Sequence, residues 1–180
     1  MKTILITAFE PFGGREINAS AEVLKALPGR IGGFDVRRQL LPVVFGKAAE
    51  AAPQGPFEYI FLLGEAGRDR VTPETTARNL RSARIPDNEG NQPEDEPVLP
   101  GGPEVYRTPL PVGGIVERMT GEGYRIAVSD DAGTFVCNDT FYLVGTGRRV
   151  PVDFIHVPCD LSEDAAETVR RYIELAVLPA

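Results

Sequence analysis

Short, nearly continuous apolar runs alternate along this chain with stretches of helical periodicity. The first run covers residues 2–9 and stops at Pro11, Gly13 and Gly14, which is typical of a strand buried on both faces of a sheet. Similar runs predict further strands over residues 35–43, 58–63, 124–129 and 152–157. We therefore expect the chain to begin with a central strand.

Helical periodicity fills the intervals between these strands. Asn18 or Ser20 suits the N-cap of a first helix, which Pro28-Gly29 stops. Further helices are predicted over residues 45–52, 114–119, 138–144 and 162–176. Ser162 caps the last of them, whose first turn is acidic and whose apolar residues form one stripe. Strands that alternate with helices predict an α/β fold with a mostly parallel sheet.

Residues 86–111 interrupt this alternation. They are rich in proline, carry the acidic run Glu94-Asp95-Glu96 and show no sustained period, which predicts a long loop. Apolar residues along the loop suit packing against another subunit. No linker composition divides the chain, and 180 residues fit one core, so we expect a single domain over residues 1–180.

Charge and composition narrow the classes of function. The formal net charge of −7 and the isoelectric point near 4.8 repel a phosphate backbone, so we expect no nucleic-acid partner. The sequence has no run of about 18 apolar residues, and its N-terminal run turns polar before a signal-peptide core forms. We therefore expect a cytoplasmic protein without membrane contact.

One histidine and one cysteine define the first chemical hypothesis. His156 is the single histidine, and imidazole is the side chain that ordinarily titrates near neutral pH. Cys137 precedes it by 19 residues and lies near the start of a predicted helix, where the dipole and free N–H groups favour a thiolate. The alternative interpretation is structural, with a small buried thiol and a hydrogen-bonded core histidine.

A cysteine–histidine pair generally needs a third group that orients the imidazole. Cys159, three residues beyond His156, is an alternative nucleophile. One histidine and two separated cysteines do not match a structural zinc site, so we expect no metal and two reduced thiols. Position alone leaves six carboxylates eligible as the third group: Glu74, Asp87, Asp130, Asp131, Asp153 and Asp160.

Two phenylalanines stand where the first predicted strand ends. Phe9 and Phe12 are followed by Gly13 and Gly14, and open α/β sheets place their ligands beyond the carboxyl ends of strands. Aromatic rings on a flexible backbone suit an apolar pocket, although a core-packing turn is the alternative. These glycines do not form a phosphate-binding fingerprint.

Five sequence blocks follow one another along nearly the whole chain. They are Thr7-Ala8-Phe9-Glu10-Pro11-Phe12-Gly13-Gly14, Thr72-Pro73-Glu74, residues 83–93, Ala132-Gly133-Thr134-Phe135-Val136-Cys137-Asn138, and Phe154-Ile155-His156-Val157-Pro158. In sequence and in order they resemble the blocks of type I pyroglutamyl peptidases, also called pyrrolidone-carboxylate peptidases, which are cysteine peptidases.

This resemblance implies a fold, an activity and a set of site residues. The family has a three-layer α/β/α sandwich and removes N-terminal pyroglutamate (5-oxoproline) from peptides without a metal or other cofactor, as a homo-oligomer, usually a tetramer. By resemblance, Cys137 is the nucleophile of an acyl-enzyme pathway, His156 its base and acid, and Glu74 the third triad member. Arg84 helps to stabilise the oxyanion. The implied lactam pocket is lined by Phe9, Phe12, Ile85, Phe135 and Val136.

The chain departs from the family pattern at three places. Glu65 replaces a glutamine that contributes to substrate recognition in the family, and Asp130-Asp131 adds negative charge that opposes formation of the thiolate. The third departure is a shorter stretch between the nucleophile and the histidine. Because a buried, unpaired carboxylate is costly, we expect Glu65 to have a raised pKa or to turn toward a neighbour such as Arg68 or Arg70.

Other functions compete with this interpretation. Glu65 favours a related cysteine amidase or peptidase that acts on another N-terminally blocked or cyclic substrate. A non-catalytic binding module on the same fold would leave Cys137 with the reactivity of a free thiol. A nucleoside phosphorylase is suggested by analogy of fold alone, and no phosphate-binding motif supports it.

Overall fold

The computed structural model describes residues 2–160 and 164–178. In chain order these residues form β1 (Thr3–Phe9), α1 (Ala19–Ala26), β2 (Arg30–Ile31), β3 (Phe34–Leu41), α2 (Lys47–Ala51), β4 (Tyr59–Ala66), β5 (Thr72–Glu74), β6 (Thr76–Arg78), β7 (Val105–Arg107), α3 (Val112–Gly121), α4 (Val136–Gly147), β8 (Val152–Pro158) and α5 (Ala165–Ala176). No helix within the described ranges is long and apolar enough to cross a bilayer.

The main sheet has the strand order β2-β3-β1-β4-β8-β5. Its four central strands are parallel, whereas β2 and β5 at the edges run antiparallel to their neighbours. A separate antiparallel pair joins β6 to β7. The carboxyl ends of β1, β4 and β8 therefore meet at one edge of the sheet, where open α/β sheets hold their functional sites.

Helices bury both faces of β1, β4 and β8, which explains why these three strands are continuous apolar runs. In β1, Ile4 and Ile6 pack in the cluster formed with α1, α3 and α5. Leu5 and Phe9 point to the opposite face and pack in the cluster formed with α2 and α4. The predicted α/β fold is therefore confirmed as a three-layer α/β/α arrangement around a mostly parallel sheet.

The predicted helices are present with shifted ends. Asn18 is the N-cap of α1, and its side-chain oxygen accepts a hydrogen bond of 3.0 Å from the Ser20 amide. Helix α4 begins at Val136, two residues before the predicted start. The sequence did not reveal this start because the N-cap, Phe135, has no capping side chain. Asp164 precedes α5 as its N-cap, and the predicted cap, Ser162, lies outside the described residues.

The prediction of a strand over residues 124–129 is wrong. This segment forms only isolated bridges, with Ile126 opposite Val71 and Ser129 opposite Glu74. The amides of Ala127 and Ser129 donate to backbone oxygens of residues 71 and 73, at 3.1 and 3.0 Å. Residue 73 is a proline, which has no N–H to donate in return, so a continuous ladder does not form.

The predicted loop over residues 86–111 contains one strand, β7. Tyr106 in β7 donates a hydrogen bond of 3.0 Å from its hydroxyl to the backbone oxygen of Val152, at the start of β8. Its ring also packs edge-on against Phe141, with 5.4 Å between centroids. The proline-rich segment is therefore fastened to the sheet and to α4 at this point.

Candidate active site

Cys137 is the second residue of helix α4. The first backbone hydrogen bond back to the N-cap is made by the Asp139 amide to the Phe135 oxygen, at 3.1 Å. The amides of the first three helical residues therefore have no partner within the helix. They leave partial positive charge beside the thiol, where an anion is stabilised.

The turn before α4 is fixed by local hydrogen bonds. Gly133 has a φ of 81°, in the left-handed region that glycine adopts without strain. Its amide donates to a side-chain oxygen of Asp131 at 2.9 Å, and Arg78 donates to that same carboxylate oxygen at 2.9 Å. The negative charge of Asp131 is thus paired with an arginine.

Strand β4 leaves room for the thiol at Gly64. A methyl group at Gly64 would lie 2.8 Å from Cys137 Sγ and 2.7 Å from the ring of Phe154. Gly64 is also the register partner of His156 in the parallel β4–β8 pair. The thiol therefore rests on the sheet at the level of the imidazole, and both side chains line the same cavity.

His156 is held by Glu74 through a buried contact. Nδ1 of His156 lies 2.8 Å from Oε1 of Glu74, and both residues are almost fully buried. The antiparallel β5–β8 pair, in which Glu74 faces Phe154, brings the two side chains together. With an ionised Glu74, Nδ1 donates its hydrogen, which leaves Nε2 as the basic nitrogen.

None of the other five eligible carboxylates forms a hydrogen bond with His156 among the described residues, although Asp131 lines the same cavity. Asp87 binds the amides of its own turn, Asp153 binds the Tyr172 hydroxyl, and Asp131 is paired with Arg78. Asp130 and Asp160 are exposed to solvent.

Burial determines the charge of the resting thiol and imidazole. It raises the pKa of Cys137 to about 12, with further increases from Glu74 and Glu65 that Arg68 opposes. Burial also lowers the pKa of His156, an effect that Glu74 opposes. At neutral pH the site therefore rests as a neutral thiol beside a neutral imidazole.

A cavity of about 340 Å³ opens beside the thiol and the imidazole. Its apolar wall includes Phe9, Phe12 and Phe135, and the rings of Phe12 and Phe135 are 6.0 Å apart between centroids. Phe45 supports Phe135 from behind, edge-on at 5.3 Å. Polar groups in the lining come from Asn18, Glu65, Arg68, Asp131, Cys137 and His156. The cavity combines a mostly apolar wall with a thiol and an imidazole.

Comparison with known proteins decides the family. The family model described as pyroglutamyl peptidase matches residues 2–171. This chain belongs to the pyroglutamyl peptidase family. It is therefore a hydrolase of peptidase family C15, as the sequence resemblance predicted.

Individual relatives agree with this assignment along nearly the whole chain. A pyrrolidone-carboxylate peptidase of Bacillus cereus is 42% identical, covering 98% of this chain and 92% of the relative. A pyrrolidone-carboxylate peptidase of Thermococcus kodakarensis is 38% identical, covering 97% of this chain and 93% of the relative. The crystal structure of Bacillus amyloliquefaciens pyroglutamyl peptidase I aligns with a TM-score of 0.89 at 39% identity, covering 98% of this chain and 97% of that one.

Glu65 turns toward an arginine, as expected, but its partner is Arg15. Its side chain is only 2% exposed, and its two oxygens accept hydrogen bonds from Arg15 Nη1 at 2.5 Å and from the Ala19 amide at 2.6 Å. The expected partners, Arg68 and Arg70, bind other carboxylates. In this family member the N-terminus of α1 and an arginine from the preceding loop stabilise the charge of Glu65.

Two residues expected at the site by resemblance lie outside the cavity lining. Arg84 and Ile85 are exposed, in the segment that follows Ala83. Backbone contacts hold this segment, because the Ala83 amide donates to Pro93 and Asp87 binds the Phe45 amide. The remaining pocket residues, Phe9, Phe12, Glu65, Phe135 and Val136, all line the cavity.

The alternative thiol, Cys159, lies outside the cavity. Cys159 is partly buried just beyond β8 and does not line the cavity. Within the described ranges, no group of three or more His, Cys, Asp and Glu side chains has the arrangement of a metal site.

Sequence reasoning missed the arginines that pair with the two buried glutamates. Arg68 Nη2 lies 2.9 Å from Glu74 Oε1, the oxygen that His156 also contacts. Arg15 pairs with Glu65 across 50 positions of sequence. Arg68 lies two residues beyond the end of strand β4, at the edge where a site was expected, which was the one available signal.

Proposed function

We propose that this protein removes N-terminal pyroglutamate from peptides through a triad of Cys137, His156 and Glu74. The observation that carries the proposal is the buried contact of 2.8 Å by which Glu74 orients an imidazole that shares its cavity with the thiol. Membership of the pyroglutamyl peptidase family supports the substrate class.

In the first step, Nε2 of His156 takes the thiol proton while Sγ of Cys137 attacks the carbonyl carbon of the pyroglutamyl residue. The resting pair is neutral, so proton transfer accompanies the attack. The resulting imidazolium is stabilised by Glu74, which accepts its Nδ1 hydrogen.

Backbone amides are the proposed donors to the tetrahedral oxyanion. The free N–H groups of the first turn of α4 lie next to Sγ and require no rearrangement to bind a developing negative charge. Arg84 is retained as a predicted additional donor, which requires its exposed side chain to turn over the mouth of the cavity.

Collapse of the tetrahedral intermediate breaks the peptide C–N bond, and His156 gives its proton to the departing amine. The acyl group stays on Sγ as a thioester. Water then loses a proton to the same imidazole and attacks the thioester, and the returning proton restores the thiol. The products are 5-oxoproline and a peptide shortened by one residue.

The cavity suits an uncharged lactam ring. Phe9, Phe12 and Phe135 provide apolar contacts, and pyroglutamate lacks the charged amino group that would be costly to bury there. The ionised carboxylate of Glu65 accepts the hydrogen bond of the ring N–H in this proposal.

Hydrolysis of a pyroglutamyl fluorogenic amide by the purified protein tests the proposal. Cys137→Ala is expected to abolish turnover, whereas the matched variant Cys159→Ser keeps most of it, because only the first thiol lies in the cavity. Substantial turnover in Cys137→Ala contradicts the mechanism, and a comparable loss in Cys159→Ser means that the wrong thiol was chosen.

A related amidase of altered specificity is the second candidate, favoured by the carboxylate of Glu65. A panel of N-terminally blocked and cyclic aminoacyl amides distinguishes the two. Pyroglutamyl amide as the best substrate supports the first function, and a preference for another ring or blocking group supports the second.

We also propose that residues 1–180 form one domain that assembles as a homotetramer or dimer in the cytoplasm. Leu99 and Val105, which are exposed apolar residues of the proline-rich segment, support an interface there. Light scattering of the purified protein tests the assembly.

A further inference from the structure

Arg68 connects three segments of the site through one guanidinium group. Nη2 forms an ion pair with Oε1 of Glu74 at 2.9 Å and donates to the backbone oxygen of Asp131 at 2.7 Å. Nη1 donates to the hydroxyl of Thr72 at 3.1 Å. The contacts with Glu74 and Thr72 fix strand β5. The contact with Asp131 fixes the turn that leads into helix α4, which carries the thiol.

The contact with Glu74 balances a buried negative charge. Glu74 is 0% exposed, and its Oε1 is shared by His156 and Arg68, while Oε2 has no hydrogen-bond partner among the described residues. A buried carboxylate is costly unless a cation balances it. When the imidazole is neutral, Arg68 is the cation in contact with Glu74.

We propose that Arg68 is a positioning residue, which holds Glu74 and the nucleophile turn in register so that His156 and Cys137 meet. The proposal rests on the function proposed above. Arg68 lines the cavity, but in this role its guanidinium is engaged by Glu74, Thr72 and Asp131 rather than by the substrate. It acts on the reaction through the carboxylate that orients the imidazole and through the turn that ends at the thiol.

The charges around Cys137 and His156 predict how the loss of Arg68 changes the pKa values of both groups. The groups that act on Cys137 are Glu74, Glu65, Arg68 and Cys159, and those that act on His156 are Glu74, Arg68 and Asp131. Arg68 is the cation in both sets, and it lowers the pKa of both the thiol and the imidazole. Its removal therefore raises both pKa values, so that both groups keep their protons to higher pH.

The test compares Arg68→Gln and Arg68→Lys with Arg70→Gln as the matched control. Arg70 is a neighbouring arginine that pairs with Asp69, on the surface, rather than with Glu74. All variants carry Cys159→Ser, so that iodoacetamide reports on Cys137 alone. The measurements are kcat and KM for a pyroglutamyl amide, and the pH dependence of alkylation.

Arg68→Gln is expected to lower kcat by roughly 10- to 100-fold, the range found when a group that orients a metal-binding side chain is lost. KM should stay within about twofold, because Arg68 is not a substrate contact in this role. The alkylation midpoint should move to higher pH. Arg68→Lys should restore the midpoint, since it keeps the charge, but only part of kcat, since an ammonium group lacks the planar fork.

Arg68→Gln that matches Arg70→Gln in both kcat and the alkylation midpoint overturns the proposal. If Arg68→Gln does not fold, as judged by circular dichroism, Arg68→Lys decides, and an unchanged kcat in that variant overturns the proposal. Failure of the unaltered protein to cleave the pyroglutamyl amide overturns the proposed function instead. In that case the alkylation profiles still test the role of Arg68.

Discussion

Two carboxylates, each fully buried, lie on opposite faces of the sheet beside strand β8. Glu74 contacts a guanidinium and an imidazole on the face that holds the thiol. Asp153 accepts hydrogen bonds only from the Tyr172 hydroxyl, at 2.6 Å, and from the Phe154 amide among the described residues. Burial, with no cation to oppose it, raises the pKa of Asp153 to about 7.

The comparison shows that the partner, rather than burial itself, determines what a buried carboxylate can do. Glu74 has cationic or protonatable partners, so its negative charge is available to stabilise an imidazolium. Asp153 has neutral partners, so its charge is tolerated poorly and its carboxyl group serves to link β8 to α5. Substitutions at both positions should therefore affect different properties of the protein.

The largest effect is expected from Glu74→Gln. The amide keeps the shape but no longer fixes the tautomer of His156 or balances its charge, so kcat should fall by roughly 10⁴-fold, as for the equivalent change in a serine protease triad. KM should change much less. Steady-state kinetics check this result, with Asp153→Asn as the matched control that keeps kcat near that of the unaltered protein. Unchanged kcat in Glu74→Gln would remove this residue from the reaction.

Asp153→Asn should instead change the pH dependence of stability. Because folding raises the pKa of Asp153 to about 7, the folded protein binds its proton more tightly, and stability is lost as pH rises from about 4 to about 7. The loss from this group is about 1.4 kcal/mol per pH unit at most. Urea unfolding across this range should show the stability of the variant rising relative to that of the unaltered protein up to about pH 7. Above that pH the difference in stability should stay constant. Parallel stability profiles would contradict the raised pKa.

A smaller loss is expected from Tyr172→Phe, which removes the hydroxyl that Asp153 binds. The variant should be less stable by about 1–3 kcal/mol, the typical cost of leaving a buried polar group short of a partner. Activity should persist, because Tyr172 and Asp153 lie on the face away from the thiol. Urea unfolding at pH 8, where the carboxylate is charged, gives the clearest reading, and equal midpoints would show that the contact contributes nothing.

Glu65 is a third buried carboxylate, paired with a half-exposed arginine, and the smallest effect is expected there. Glu65→Gln exchanges the ion pair with Arg15 for an amide contact, so KM should change by less than about fivefold, since such partly exposed pairs contribute about 1 kcal/mol or less. A double-mutant cycle with Arg15→Gln measures the coupling. A tenfold lower KM in Glu65→Gln would mean that the carboxylate disfavours the lactam in the unaltered protein.

The sequence predicted the central strands and helices well because long apolar runs and periodic stripes carry strong signals. It did not predict that Glu74 would meet His156, since that contact depends on a three-residue strand, Thr72–Glu74, whose middle residue is a proline. Resemblance, rather than pattern, selected Glu74 among six carboxylates. The same proline broke the expected strand at residues 124–129.

Paired charges were harder to predict than single residues. Arg15 and Glu65 are 50 positions apart, and nothing in their local sequence marks them as partners. Resemblance placed Ile85 and Arg84 at the pocket, yet the turn organised by Asp87 holds their segment outside the cavity lining. The local pattern of apolar and polar residues predicts helices and strands. These contacts depend instead on how helices, strands and loops that are distant in the sequence pack together.

The bare backbone at Gly64 limits the sequences through which this site can evolve. Even an alanine there would push against Cys137 Sγ and the ring of Phe154, so position 64 admits no side chain while the nucleophile keeps its place. A randomised codon at this position, selected for growth on a pyroglutamyl peptide, should return glycine alone. Adaptation to larger or smaller rings must therefore proceed at other residues of the cavity lining, such as Phe12, whose ring lies 6.0 Å from that of Phe135 between centroids.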